Sequence, residues 1–99
     1  MENIFKLDKE LASQLVLLRK DFCLCAVKAE FEAEGASFRD LVRLRRITIQ
    51  QGIPLYLKIG GAEAIRDIKD AFELGGDGLI APMIESPFAL EKFLNACKS

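Results

Sequence analysis

Residues 54–90 limit the possible folds more than any other part of this chain. Apolar residues are concentrated over 55–59, recur at helical spacing at Ile65, Ile68 and Phe72, and are concentrated again over 79–84. The spacing therefore changes from that of a strand to that of a helix and back. A connection long enough to hold a helix joins parallel strands, whereas antiparallel neighbours need only a hairpin. The stretch predicts a βαβ unit.

The rest of the chain continues the same alternation. An apolar stripe at helical spacing precedes the first strand, and further stripes follow each strand. The order αβαβαβα places the chain in the α/β class, with three parallel strands and four helices. The predicted helices cover 8–20, 37–50, 62–74 and 87–98, and the predicted strands cover 22–31, 55–59 and 78–84.

Capping signals indicate where the helices begin and end. Asp8 is predicted to be the N-cap of the first helix, because its carboxylate suits the orphan amides of a first turn. Ser37 and Asp40 form a capping box for the second helix, which Gly52 ends. Ser86, followed by a proline, is typical of the start of a helix.

A weak internal repeat supports successive βα units. Arg39-Asp40-Leu41 recurs as Arg66-Asp67-Ile68, each time early in a helix that ends in glycine. Three strands are nevertheless few, since a (β/α) barrel closes with eight strands and a doubly wound sheet has five or six. The sequence predicts a single incomplete (βα)n domain over residues 1–99, resembling part of a TIM barrel. Its open sheet edges predict self-association, as a homodimer or larger assembly.

Composition excludes several classes of protein. A net charge of −1 at pH 7 argues against a nucleic-acid partner, which would need a clustered basic excess. The sequence has no signal peptide and no apolar run of about 20 residues, so no membrane partner is expected. Three cysteines, an odd number, predict reduced thiols in a cytoplasmic protein. The absence of histidine excludes Ser-His-Asp and Cys-His catalysis within this chain and makes a zinc site improbable.

Charged residues follow the predicted strands where ligands of parallel α/β folds gather. Glu30 and Glu32 lie at the end of the first strand, Lys58 ends the second, and Glu85 follows the third. Carboxylates at such a rim hold Mg²⁺ or Mn²⁺, while a lysine binds a substrate carboxylate, acts as a base or forms a Schiff base. A solvated strand face explains the first-strand charges equally well. Function is favoured for Lys58.

Three other features have both a structural and a functional interpretation. Gly60 and Gly61 precede a helix and would bind an anion through backbone amides, or simply form a tight turn. The arginines of residues 43–46 are expected on a solvated helix face or against acidic groups, in preference to a nucleic-acid patch. Cys23 and Cys25 are predicted to be small core residues.

Three segments together resemble the HpcH/HpaI aldolase and citrate lyase family. They are KAEFEAEG at 28–35, LKIGGAEAIRD at 57–67 and GGDGLIAPMIESPFAL at 75–90. The resemblance covers roughly residues 26–95. It implies a (β/α)₈ barrel that makes or breaks C–C bonds of oxo acids or acyl-CoA esters, using Mg²⁺ or Mn²⁺ held by a Glu and an Asp. It also implies an arginine near the substrate.

The resemblance assigns this chain to the front part of such a barrel. Glu85 corresponds either to the metal-binding Glu or, in the alignment we favour, to a residue at the end of an earlier strand. The metal-binding Asp has no counterpart here, so the isolated chain is expected to hold metal weakly and to be inactive. The alternatives are a non-catalytic oligomerising α/β module and a small anion-binding domain that uses Gly60 and Gly61.

Overall fold

The computed structural model describes residues 2–31, 37–61 and 64–98. Within these residues the chain forms four helices and three strands in the predicted order αβαβαβα. The elements are α1 (Glu2–Phe22), β1 (Val27–Glu30), α2 (Phe38–Gln51), β2 (Leu55–Lys58), α3 (Ile65–Glu73), β3 (Gly78–Ile80) and α4 (Pro87–Lys98). The predicted fold class, a partial βα repeat, is confirmed. No helix in the described ranges is long and apolar enough to cross a lipid bilayer.

The three strands form one parallel sheet in the order β1-β2-β3. Val27 lies opposite Leu55, and Glu30 lies opposite Lys58. Lys58 in turn lies opposite Ile80 on β3. Each strand therefore pairs with the strand that follows it along the chain, as in one sector of a βα barrel.

The two faces of the sheet differ sharply in burial. Leu55 and Leu57 on β2 are 0% exposed, whereas Tyr56 between them is 41% exposed. Leu41 of α2 and Ala71 of α3 join the same core cluster as the two leucines. Both helices therefore cover one face. The other face carries Tyr56 and the charged residues of β1 and β2.

α1 adds a second small core beside α2. Leu15 of α1 packs with Ile47 of α2 and Ile53, all of them buried. An ion pair between Arg43 Nη2 and Asp8 Oδ1, 2.6 Å apart, joins the same two helices. The predicted start of α1 at an Asp8 N-cap is therefore wrong. No proline or glycine interrupts residues 2–7, so the helix begins at Glu2 and its Asp8 is free to pair with α2.

β1 is shorter than the predicted 22–31. The first residue of that range, Phe22, belongs to α1. Helix α1 ends at Phe22, and Cys23 has a left-handed φ of 59° that leads into the connection. Strand structure exists only where β2 offers partners, from Val27 onward. Cys23 and Cys25 are exposed free thiols, so their predicted place in the core is wrong.

β3 is likewise shorter than the predicted 78–84, ending at Ile80. The Ile80 carbonyl still accepts a 3.0 Å hydrogen bond from the Ile59 amide, which continues the pairing past β2. Met83 then turns the chain away with a φ of 55°. α3 begins at Ile65, and residues 62 and 63 of its predicted span lie outside the described ranges.

The remaining capping predictions are confirmed. Ser37 and Asp40 form the expected reciprocal capping box at the start of α2. Gly52 ends that helix at a φ of 66°, where a side chain would be strained. Ser86 Oγ accepts a 3.1 Å hydrogen bond from the Ala89 amide and so caps α4.

Candidate functional site

The candidate site lies at the carboxyl ends of the three strands. Glu30 is the last residue of β1 and Lys58 is the last residue of β2. Because the two residues are opposite each other in register, their side chains project from the same face of the sheet. Lys58 Nζ lies 3.6 Å from Glu30 Oε1. The structure thus brings together two of the residues that the sequence predicted at the rim.

Glu30 is shared between two lysines. Lys28, two residues earlier on the same face, donates a 2.9 Å hydrogen bond from Nζ to Glu30 Oε1. This hydrogen bond and the charges of Lys28 and Lys58 hold the pKa of the Glu30 carboxyl below its usual value. Its side chain is 15% exposed, against 36% for Lys58. Glu30 is therefore an ionised acceptor, and Lys58 is the more accessible of the two charges.

A shallow cavity of about 230 Å³ opens beside this pair. Its charged side is formed by Glu30 and Lys58. The rest of its wall consists of Phe31, Ile59, Gly60, Pro82 and Met83. Segments that follow all three strands contribute, so the cavity occupies the place where parallel α/β folds bind ligands.

Gly60 lines the cavity, but its amide already has a partner within the chain. The Gly60 N–H donates a 2.8 Å hydrogen bond to Asp67 Oδ2 of α3. Asp40 of α2 similarly accepts a 3.1 Å hydrogen bond from the Ser37 amide. The repeated Arg-Asp pair of the sequence thus repeats a contact in which a helix carboxylate fixes the preceding loop. Gly61 follows in this turn, and its carbonyl accepts a hydrogen bond from the Ala64 amide. An external anion would compete with Asp67 for the Gly60 amide.

The other predicted site residues are not brought to this cavity. Glu85 is exposed in the segment before α4 and does not line the cavity. Glu32 lies outside the described residues. In the described ranges, no three histidine, cysteine, aspartate or glutamate side chains are grouped to hold a metal ion. The residues described at this rim therefore do not by themselves fit the Mg²⁺ or Mn²⁺ site that the family resemblance implies.

Two features of the cavity were not predicted from the sequence. They are its apolar wall and the hydrogen bond by which Asp67 holds the Gly60 turn. Met83 is 80% exposed and takes a left-handed conformation unusual for a residue with a side chain. Nothing in the sequence signals that conformation. Asp67, in contrast, was visible as part of the repeat, although the contact it makes was not.

Two arginines of α2 form ion pairs away from this cavity. Arg45 Nη1 lies 2.7 Å from Asp77 Oδ2, and Asp77 also accepts a 2.9 Å hydrogen bond from the Leu55 amide. Arg43 pairs with Asp8 of α1. The expected contact with acidic groups is confirmed for these two arginines.

We compared the chain with protein families, curated proteins and solved structures. No protein-family model matches the chain, and no curated protein or solved structure matches it either. Function must therefore be inferred from the rim itself.

Proposed function

We propose that this chain is a sector of a (β/α) barrel lyase or aldolase that acts on C–C bonds of a small oxo acid or acyl-CoA ester. The supporting observation is the Glu30–Lys58 pair beside a cavity at the carboxyl ends of three consecutive parallel strands. Ligands of such folds bind at this rim. The partly exposed Lys58 ammonium is the charge that meets an anionic substrate there.

The chemistry assigned to these residues is electrostatic. Cleavage of a C–C bond next to a carbonyl leaves an enolate, whose negative charge a fixed cation stabilises in the transition state. Lys58 would supply that cation or bind the substrate carboxylate. Glu30, held ionised by its lysines, would orient the Lys58 ammonium and would not act as a proton donor.

No step is assigned to a metal. The family that the chain resembles uses Mg²⁺ or Mn²⁺. Of the carboxylates described here, Glu30 is already paired with two lysines, Asp67 accepts a hydrogen bond from the Gly60 amide, and Glu85 does not line the cavity. A divalent cation at this rim would need ligands from outside the described residues. The proposal for the described residues is therefore limited to binding and charge stabilisation.

Binding of an oxo acid to the whole chain tests the proposal. Titration with pyruvate, followed by two-dimensional amide NMR, should shift the signals of residues 30–31 and 58–60. Lys58→Met should weaken this binding at least tenfold, because it removes the counter-charge. Lys20→Met, which removes an exposed lysine of α1, is the matched control and should bind as the parent does.

Two outcomes would refute the proposed function. One is the absence of any rim shift at high millimolar concentrations of pyruvate and of larger oxo acids. The other is unchanged affinity in a folded Lys58→Met variant, which would remove Lys58 from the site and leave it as a solvated rim charge.

A second candidate is a non-catalytic oligomerising α/β module. It is favoured by α4, in which no residue is buried and Phe88, Leu90 and Leu94 are 65%, 47% and 48% exposed. Apolar surface of this kind marks an interaction site. The two candidates are compatible, because a barrel sector also needs neighbours to cover it.

A further inference from the structure

The cavity beside Lys58 has one charged side and one apolar side. Glu30 and Lys58 form the first. The second consists of Phe31, Ile59, Pro82 and Met83, and Gly60 also lines the cavity. A ligand that places an anionic group on Lys58 therefore directs the rest of its structure against hydrocarbon. Hydroxyl groups there would lose water without gaining hydrogen bonds from these side chains.

Met83 is the part of this wall that a ligand would cover most. Its side chain is 80% exposed, whereas Ile59 is 1% exposed and belongs to the interior. The left-handed backbone at Met83 costs energy in a residue with a side chain, and such conformations cluster at ligand sites. Methionine is also the side chain that best adapts its shape to an apolar ligand.

The cavity has room for more than the methyl group of pyruvate. A volume of about 230 Å³ corresponds to about eight water molecules at roughly 30 Å³ each. Pyruvate has only a methyl group beyond its oxo-acid head and would leave much of the apolar wall in water. A branched aliphatic substituent would cover that wall, and removal of apolar surface from water favours binding.

We propose that the ligand of this rim is a 2-oxo acid with a short branched aliphatic side chain, and that Met83 determines this specificity. The proposal rests on the proposed function, in which Lys58 binds the carboxylate. It adds the chemical class of the substituent. A second carboxylate, as in 2-oxoglutarate, would have to enter the apolar side unpaired.

The test compares three probes on the whole chain by calorimetry and amide NMR. They are pyruvate, 3-methyl-2-oxobutanoate and 2-oxoglutarate. The branched acid should bind about tenfold or more tightly than pyruvate, since a methylene in an apolar pocket changes affinity by about that factor. 2-Oxoglutarate should bind no more tightly than pyruvate.

Substitutions at Met83 assign the preference to that residue. Met83→Ser should reduce the ratio of the two affinities at least threefold, because it removes apolar contact that the branched substituent makes and the methyl group of pyruvate makes far less. Met83→Leu should retain the ratio. Because Met83 is exposed, neither change removes a core contact. Phe88→Ser, at another exposed apolar position, is the control and should leave the ratio unchanged.

The outcomes separate this inference from the proposed function. If pyruvate binds as tightly as the branched acid, or if Met83→Ser leaves the ratio intact, the inference is wrong and oxo-acid binding stands. If none of the three acids binds, the proposed function is wrong and this inference falls with it.

Discussion

At the scale of single residues, Asp77 joins three elements at the amino end of the sheet. It lies just before β3, accepts a hydrogen bond from the Leu55 amide of β2 and forms an ion pair with Arg45 of α2. The Leu55 hydrogen bond, followed by that of Arg45, lowers the pKa of the Asp77 carboxyl below its ordinary 3.8. A group with a lowered pKa in the folded state stabilises the fold only while it is ionised.

Asp77 should therefore contribute to acid sensitivity. Its contribution is fully present above the ordinary pKa and is lost as the pH falls from 3.8 through the lower folded-state value. Asp77→Asn should be less stable than the parent at pH 7, and the difference should shrink below pH 3.8. Urea unfolding of both proteins at each pH measures this.

A matched control separates this contact from net charge. Glu91→Gln removes an exposed carboxylate from α4 and should leave stability at pH 7 near that of the parent. If Asp77→Asn is as stable as the parent at pH 7, the contact contributes nothing and the prediction is wrong.

Residues that end strands could be predicted because parallel strands align their ends. Spacing alone located Glu30 and Lys58 at one rim, and the capping box at Ser37 followed from its sequence signature. Met83 could not be found in this way, because its left-handed backbone depends on where β3 stops pairing. Asp8 was misplaced because a helix-capping carboxylate and an ion-pair partner are the same residue type in a sequence.

At the scale of elements, the errors lie at strand ends. A short apolar run such as residues 22–25 suits either a strand or the end of a helix, so periodicity alone does not decide. Strand pairing decides where each strand begins and ends. β1 and β3 extend only over the residues that pair with β2. The centre of β2 was predictable, since its alternation of apolar and polar residues leaves one register that buries Leu55 and Leu57.

The β2 register leads to a prediction with an internal control. Leu57→Ala should lower the free energy of unfolding by about 2–5 kcal/mol, because the side chain is fully buried. Leu57→Asp should abolish the cooperative thermal transition, because it buries an unpaired carboxylate. Circular dichroism during thermal melting measures both effects.

The neighbouring residue tests the face assignment. Tyr56→Asp places the same carboxylate on the open face of the same strand and should retain a cooperative melt. A native-like melt for Leu57→Asp, or loss of folding for Tyr56→Asp, would contradict the assignment of the two faces.

At the scale of the whole molecule, helices cover one side of the sheet and leave other apolar surface in water. α2 and α3 pack on the Leu55–Leu57 face. α4 contacts α3 but buries none of its own residues. Its Leu90 and Leu94 lie one turn apart and form an exposed apolar stripe. We propose that a second copy of the chain covers this stripe.

We therefore expect the chain to be a dimer or larger at micromolar concentration. Light scattering coupled to gel filtration measures its mass against 11.0 kDa for one chain. The double change Leu90→Lys and Leu94→Lys should shift the mass to that of a monomer while the helix signal is retained. The control Val42→Lys, at an exposed apolar position of α2, should leave the mass unchanged. A folded parent protein of monomer mass would refute this expectation.

The consecutive strand order has a consequence for how the chain opens and closes. Each strand pairs only with a strand one crossover away, so β2 is the one strand of this sheet with a neighbour on both sides. α4 lies at one end of this series without a buried residue, whereas β2 lies in its middle with two side chains fully buried. Opening should therefore begin at α4 and reach β2 last. Native-state hydrogen exchange would then show amide protection rising from α4 through β3 to β2.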